Sequence, residues 1–176
     1  VSSGAVQIGN AITEKKLLDL VLAARDRRLF RSITDCGAGG LSSAVGEMGA
    51  SSGAEVELAK VPLKYEGLSY TEIWISEAQE RMVVAVPPER AAELEALALG
   101  EEVECTDIGE FTSTGRLVLT FEGSQVADLD MGFLHGGRPR VTRRSSHERL
   151  PPRPATWSAP SSPGKVLHRV LACPNV

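Results

Sequence analysis

Apolar positions along the chain change period several times, and each change marks an element. Near the N-terminus "AVQIG" is a short extended run. "TEKKLLDLVLAARDRR" follows, with Leu17, Leu18, Val21 and Leu22 at helical spacing and Thr13 as the N-cap. "SITD" reads as a short strand ending on Asp35, "CGAGG" as a glycine turn, and "LSSAVGEMGASS" as a helix opening from that turn. "AEVEL" alternates apolar and polar, the period of a strand with one covered face. "SYTEIWIS" predicts a short helix that carries Ile73, Trp74 and Ile75 toward the core.

After residue 80 the pattern is more regular. "RMVVAV" predicts a buried strand, and "PPERAAELEALAL" a helix with prolines at its entry and acid in its first turn. "EEVECTDIGEF", "RLVLTF" and "SQVADLD" predict three strands separated by the turns "TSTG" and "EGS". The order β-α-β-β-β resembles part of a ferredoxin-like layer. The expected fold is α/β, a mixed sheet with helices packed on it, over residues 1–136. From 137 to 162 the chain is rich in Pro, Ser and Arg without apolar periodicity, and reads as a linker. Residues 163–176, "PGKVLHRVLACPNV", read as the start of a further domain. With no initiator Met, the chain is expected to be a piece of a longer protein.

Composition narrows the function classes. A chain of 176 residues with 42% apolar and 24% charged content can bury a real core. A net charge of −4 supplies no basic field for nucleic acid. "RPRVTRR" has no interleaved aromatics, so it makes a poor single-strand platform. No apolar run reaches the roughly 20 residues that span a bilayer, and the N-terminus does not resemble a secretory signal. A cytoplasmic location is expected. Cys36, Cys105 and Cys173 are far apart and odd in number, which argues for a reducing compartment and against a disulfide framework. Together with His135, His147 and His168 they form no zinc-type spacing.

Three stretches carry candidate chemistry. In "TDCGAGGLSSA" a carboxylate ends a strand, glycines turn the chain, and a helix opens. Such a turn lets backbone approach a ligand, and Asp35 can hold Mg²⁺ alongside waters and phosphates. The competing reading is a tight turn capped by Asp35. In "SEAQERM", residues 76–82, Glu77 and Gln79 can donate and accept around a polar ligand, while Glu80 and Arg81 can pair as a fork. Here the alternative is a solvated helix end with a salt bridge. Gln7 is an amide amid a short apolar strand, where a lone glutamine usually just faces solvent. There is no GxxxxGK[ST] loop and no GxSxG elbow.

Taken in order, "VQIGNAITEKKLLD", "TDCGAGGLSSAVGEM", "VPLKYEGLSYTEIWISEAQERM" and "FLHGGRPRVTR" resemble the phosphoribosylformylglycinamidine synthase family of PurL type. The resemblance covers nearly the whole chain. It implies the first C-terminal-type domain of the aminoimidazole ribonucleotide (AIR) synthetase superfamily. The implied reaction belongs to de novo purine biosynthesis: ATP phosphoryl transfer activates the amide oxygen of formylglycinamide ribonucleotide. Ammonia released from glutamine then displaces the phosphate. Carried over by position, Gln7, Glu77, Ala78 and Gln79 match substrate-binding residues, and Asp35 matches the Mg²⁺ ligand. Glu80 and Arg81 are expected to brace the loop.

The chain departs from the family where Ala78 replaces a commoner serine, Thr34 a glutamine and Asn10 an aspartate. The family's catalytic histidine and most ATP contacts belong to a preceding domain, so these residues are not expected to catalyse the synthesis alone. Implied partners are a glutaminase and small accessory subunits, with self-association into a homodimer as an expectation. Two other readings compete: the equivalent domain of a sister enzyme of the superfamily, and a non-catalytic scaffold half. "SEAQERM" argues against the first. Gln7, Asp35 and Glu77 together in one chain argue against the second.

Overall fold

The computed structural model describes residues 6–147 and 159–173, with the backbone alone described at 6 and 7. The chain divides into two compact units between Pro139 and Arg140. In the first unit β1 (Val6–Gln7) leads into α1 (Ala11–Asp26), β2 (Ser32–Asp35), α2 (Leu41–Met48) and β3 (Ala54–Glu57). A short 3₁₀ turn follows at Leu58–Lys60, then α3 (Tyr70–Ile75), β4 (Glu77–Ala78), β5 (Met82–Ala85) and α4 (Pro88–Gly100). The unit ends with β6 (Gly109–Phe111), β7 (Arg116–Phe121), β8 (Ser124–Asp130) and α5 (Met131–Gly136). The expected mixed α/β architecture is present.

The strands after residue 80 do not stay together. β5 pairs antiparallel with β2, with Thr34 opposite Val83 and Asp35 opposite Met82. The later strands form a separate mixed sheet in the order β6-β3-β7-β8, in which only β3 and β7 run parallel. Of the predicted strand "EEVECTDIGEF", only Gly109–Phe111 is extended in a ladder. The remainder is a connection from α4.

The β2–β5 ribbon separates two apolar clusters. Val83 packs against the larger one, built on Leu41, Val56, Leu58, Ile73 and Leu117. Its neighbours Val84 and Val86 pack against the smaller one, Leu20, Ala24, Leu29, Leu94 and Ala98. Successive strand residues face opposite sides, so each valine is covered on one side only. That is why "RMVVAV" is half-buried throughout rather than buried as its composition suggests.

α1 starts three residues earlier than Thr13 would dictate on its own. The Asn10 carboxamide oxygen accepts from the Ile12 N–H at 3.2 Å and caps the helix. Its covered face is Leu20 and Ala24 with Leu17 and Val21 beside them, whereas Leu18 and Leu22 face solvent. α1 and α4 end alike. Each passes through a non-glycine residue in the left-handed region, Arg28 or Glu102. The next residue then bonds back, Leu29 N–H to Ala24 O and Val103 N–H to Ala98 O. A Lys16–Glu102 ion pair joins the start of one helix to the end of the other.

α3 is one and a half turns long, started by a capping box between Ser69 and Glu72. So short a helix has one inward face. Ile73 fills it at 2% exposure, Trp74 is half-buried, and Ile75 points outward, contrary to the prediction that all three turn inward.

The second unit contains α6 (Pro163–Leu171), in which Val166, Leu167, Val170 and Leu171 are exposed. Residues 137–147, the start of the predicted linker, are exposed and carry no helix or strand. Residues 148–158 of that linker lie outside the described residues. Among the described residues no helix is long and apolar enough to cross a membrane.

Candidate functional site

The three candidate stretches, far apart in sequence, meet. β1 lies parallel to β4, with Val6 opposite Glu77 and Gln7 opposite Ala78. Just beyond this ladder the Gly9 N–H donates to Gln79 Oε1 at 2.7 Å. The Asp35 strand reaches the same loop from its other end, because the Cys36 N–H donates to the Arg81 carbonyl at 3.0 Å. Gln7, Asp35 and Glu77–Gln79 are thus tied by backbone bonds to one short segment, residues 77–82. The Gln7 side chain lies outside the described set.

Within this segment the strand alternates. Ser76 and Ala78 are buried at 2% and 4% exposure, while Gln79 is exposed and Glu77 is half-buried. On its open side the segment presents the side chains of Glu77 and Gln79 and only backbone at Ala78. The missing hydroxyl at Ala78 therefore removes nothing from that side. The Gly9 bond orients the Gln79 amide: its oxygen accepts from the β1 segment, and its NH₂ remains to donate to a ligand.

Asp35 ends β2 exposed, and among the described residues its carboxylate accepts no hydrogen bond and makes no ion pair. Its carboxylate lies over Gly37, where a Cβ would stand 3.0 Å from Asp35 Oδ2. Among the described residues no three His, Cys, Asp or Glu side chains converge on a metal position. One free carboxylate beside a glycine turn suits Mg²⁺ shared with ligand oxygens and water.

The turn after Asp35 is built for close approach. Gly40, at φ +57, sits so tightly on Ser76 that a Cβ would overlap the Ser76 carbonyl oxygen. On the other side of the same loop, a Cβ at Gly9 would collide with the Glu80 carboxylate. Glu80 itself adopts φ +63, a costly conformation for a residue with a side chain.

The expected Glu80–Arg81 fork is absent. Arg81 instead donates from Nη2 to the Ser76 carbonyl at 2.8 Å, closing the neck of the loop. Arg81 Nε and Ser76 Oγ are buried without a hydrogen-bond partner. Burial pushes the Cys36 thiol above its ordinary range, an effect partly opposed by the adjacent Arg81 guanidinium.

Lys64 escaped the sequence analysis. Its ammonium donates to the Gln79 carbonyl at 2.6 Å and reaches the Ile8 carbonyl at 3.5 Å, fastening the two strands where they leave the ladder. The available signal was a single cation in the loop "PLKYEGL", within the same stretch that carries "SEAQERM". Grooves elsewhere in the unit are lined by other residues. One of about 340 Å³ runs along the outer face of β3, β6 and β7 past Glu55, Glu57 and Glu110. Another, of about 260 Å³, lies between α2 and α5 beside Trp74 and His135.

Residues 1–122 match the family model described as AIR synthase related protein, C-terminal domain. The chain belongs to this family. It is 37% identical over 180 residues to phosphoribosylformylglycinamidine synthase subunit PurL of Ignicoccus hospitalis, covering 98% of this chain and 24% of the relative. The subunit of Beijerinckia indica is 38% identical, covering 97% and 24%. Among solved structures, T. maritima PurL complexed with FGAR superposes with a TM-score of 0.72 at 28% identity, over 82% of this chain and 24% of that one. The chain thus spans about a quarter of the length of the relatives it matches. The resemblance drawn from "SEAQERM" and its companion stretches is borne out.

Proposed function

We propose that this chain is the part of a PurL-type phosphoribosylformylglycinamidine synthase that supplies half of the formylglycinamide ribonucleotide site, together with a Mg²⁺ carboxylate. The observation that carries the reading is the convergence of Gln7, Asp35 and Glu77–Gln79 on one loop, through the β1–β4 ladder, the Gly9–Gln79 bond and the β2–β5 ribbon. Its support from relatives is the identity of 37–38% to PurL subunits and the similarity to T. maritima PurL complexed with FGAR.

In this reading Gln79 donates from its outward NH₂ to a substrate oxygen, Glu77 accepts from a substrate N–H or hydroxyl, and Ala78 contributes backbone. Asp35 would hold the Mg²⁺ ion. That ion would offset charge during phosphoryl transfer from ATP to the substrate amide oxygen, before ammonia displaces the phosphate. ATP binding falls mainly to the rest of the enzyme, an assignment that fits T. maritima PurL having been solved with ATP. The overall activity is that of an ATP-dependent ligase of purine biosynthesis, in the cytoplasm. A glutaminase and small accessory subunits are its partners, as "Structure of PurLQS from Thermotoga maritima" suggests for that enzyme. Alone, the chain holds half a site and does not turn over.

The test is an amide chemical-shift titration of the labelled chain with formylglycinamide ribonucleotide, with and without Mg²⁺. Shifts at residues 7–9 and 77–80 are expected, with Cys36–Gly40 responding further to Mg²⁺. Shifts confined to other surfaces would defeat the proposal.

A further inference from the structure

Arg81 stands where two of the site's segments join, and its bonds run to both. Its side chain closes the neck of the 76–81 loop by donating to the Ser76 carbonyl. Its main chain holds the first residue of the glycine turn, accepting from the Cys36 N–H at 3.0 Å. The same Ser76 carbonyl is the group against which Gly40 is packed without room for a Cβ. Both ends of the turn, Cys36 and Gly40, are therefore referred to Arg81 or to its partner Ser76.

This arrangement is costly. Arg81 Nε and Ser76 Oγ lie buried with no partner, and Glu80 is bent to φ +63. Each buried unmade bond typically costs about 1–3 kcal/mol. An apolar side chain of similar length would remove the unpaired Nε but would also leave the Ser76 carbonyl without its donor. What a guanidinium adds is a directed bond from a rigid plane.

We infer that Arg81 is a positioning residue that sets the substrate loop Glu77–Gln79 against the Asp35 turn, so that the two respond to ligand as one unit. The inference rests on the functional reading above for the identity of the ligand. Its geometric part stands apart from that reading. In this role Arg81 acts through Ser76 and Cys36. Binding at Gln79 pulls on the Ser76–Arg81 neck, and the Cys36 bond carries that displacement to the turn bearing Asp35.

Two variants of the labelled chain, Arg81→Met and Arg81→Lys, test this by amide hydrogen exchange and by titration with formylglycinamide ribonucleotide. In Arg81→Met, protection of the Cys36 amide is expected to fall about tenfold, the scale of one lost charge-assisted bond. Protection of Leu20 and Ala24, in the other apolar cluster, stays at the parent level. Affinity for the ribonucleotide falls about tenfold, and the shifts at Cys36–Gly40 that accompany those at Glu77–Gln79 in the parent disappear. Arg81→Lys restores part of each effect. A folded Arg81→Met with parent Cys36 protection and parent linked shifts would overturn the inference. Should Arg81→Met not fold, full retention of both signals in Arg81→Lys overturns it, and partial loss supports it. If the ribonucleotide shifts nothing in the parent, the functional reading fails by itself; Cys36 exchange in the variants then decides for or against Arg81 as the brace.

Discussion

The two apolar clusters on either side of the β2–β5 ribbon differ in size and in duty. The larger draws on twelve buried residues from α2, α3, β3, β7, α5 and the connections between them, including Cys36 and Leu41 at the two ends of the glycine turn and Ile73 in the helix before "SEAQ". The smaller draws on five, from α1, α4 and the Leu29 turn. The site stands on the first cluster. The second covers the back of the ribbon and holds no candidate site residue. Two adjacent residues, Val83 and Val84, are the boundary. A site assembled from separate stretches needs its supports fixed by packing rather than by local propensity, and here the larger core carries Cys36 and Leu41 at the two ends of its glycine turn.

The largest effect should come from removing mass under the site. Leu117, 2% exposed, is enclosed by the larger cluster, and Leu117→Ala is expected to cost about 4 kcal/mol in urea unfolding. Leu94→Ala, at 6% exposure in the smaller cluster, should cost nearer 2.5 kcal/mol and leave the amide shifts of residues 77–82 unchanged. Equal costs, or a disturbed 77–82 segment in Leu94→Ala, would break the comparison.

A second prediction bears on how the turn meets its support. Gly40→Ala forces a Cβ onto the Ser76 carbonyl at a backbone angle of +57. It should cost about 2 kcal/mol through strain. Its signature is local: the shifts of Ser76–Arg81 move while those of α1 and α4 stay in place. A silent substitution, with parent stability and spectrum, would show that the close approach does no positioning.

The smallest effect sharpens the comparison at the edge of the larger cluster. The Glu57 carboxylate accepts from the Ala59 N–H, the Thr120 hydroxyl and the Glu122 N–H, and these bonds hold its pKa below the ordinary carboxylate range. A depressed folded pKa contributes stability that is present above the unfolded value and is lost as pH falls through the folded one. Parent and Glu57→Gln should therefore differ in melting temperature at neutral pH and converge as pH drops below the carboxylate range. A gap that widens on acidification would contradict the bonding described.

Much of this was legible in the residues. The elements came from period and from turn chemistry, and the candidate stretches from unusual polar groups at strand ends. What escaped was decided between stretches. Local pattern favours Leu18 and Leu22 as readily as Leu20 and Ala24, and only packing against α4 selects the latter face. "RMVVAV" looks buried because valine is apolar, but a two-stranded ribbon shared by two clusters covers each valine on one side. Glu80 and Arg81 look like a pair because they are adjacent. The left-handed bend at Glu80 sends Arg81 back to a carbonyl five residues away instead. The Gly40–Ser76 contact has no signature in its own neighbourhood, and Lys64 has only that of a single cation in the loop "PLKYEGL".

The two-residue ladder between β1 and β4 also has a consequence for how the chain is made. Gly9 and Gln79 are 70 positions apart. At translation speeds of roughly 5–20 residues per second, β1 waits on the order of ten seconds at the ribosome before its partner strand is synthesised. The β7–β8 hairpin has no such delay, since Phe121 and Ser124 are paired across a single turn. Closing so long a loop for so few bonds is a late step in folding. The main sheet is completed later still, since β3 pairs with β7, Ala54 opposite Leu117, so the 77–82 loop and the core that includes Leu117 and Met131 are both complete only once the last strands of the unit are made.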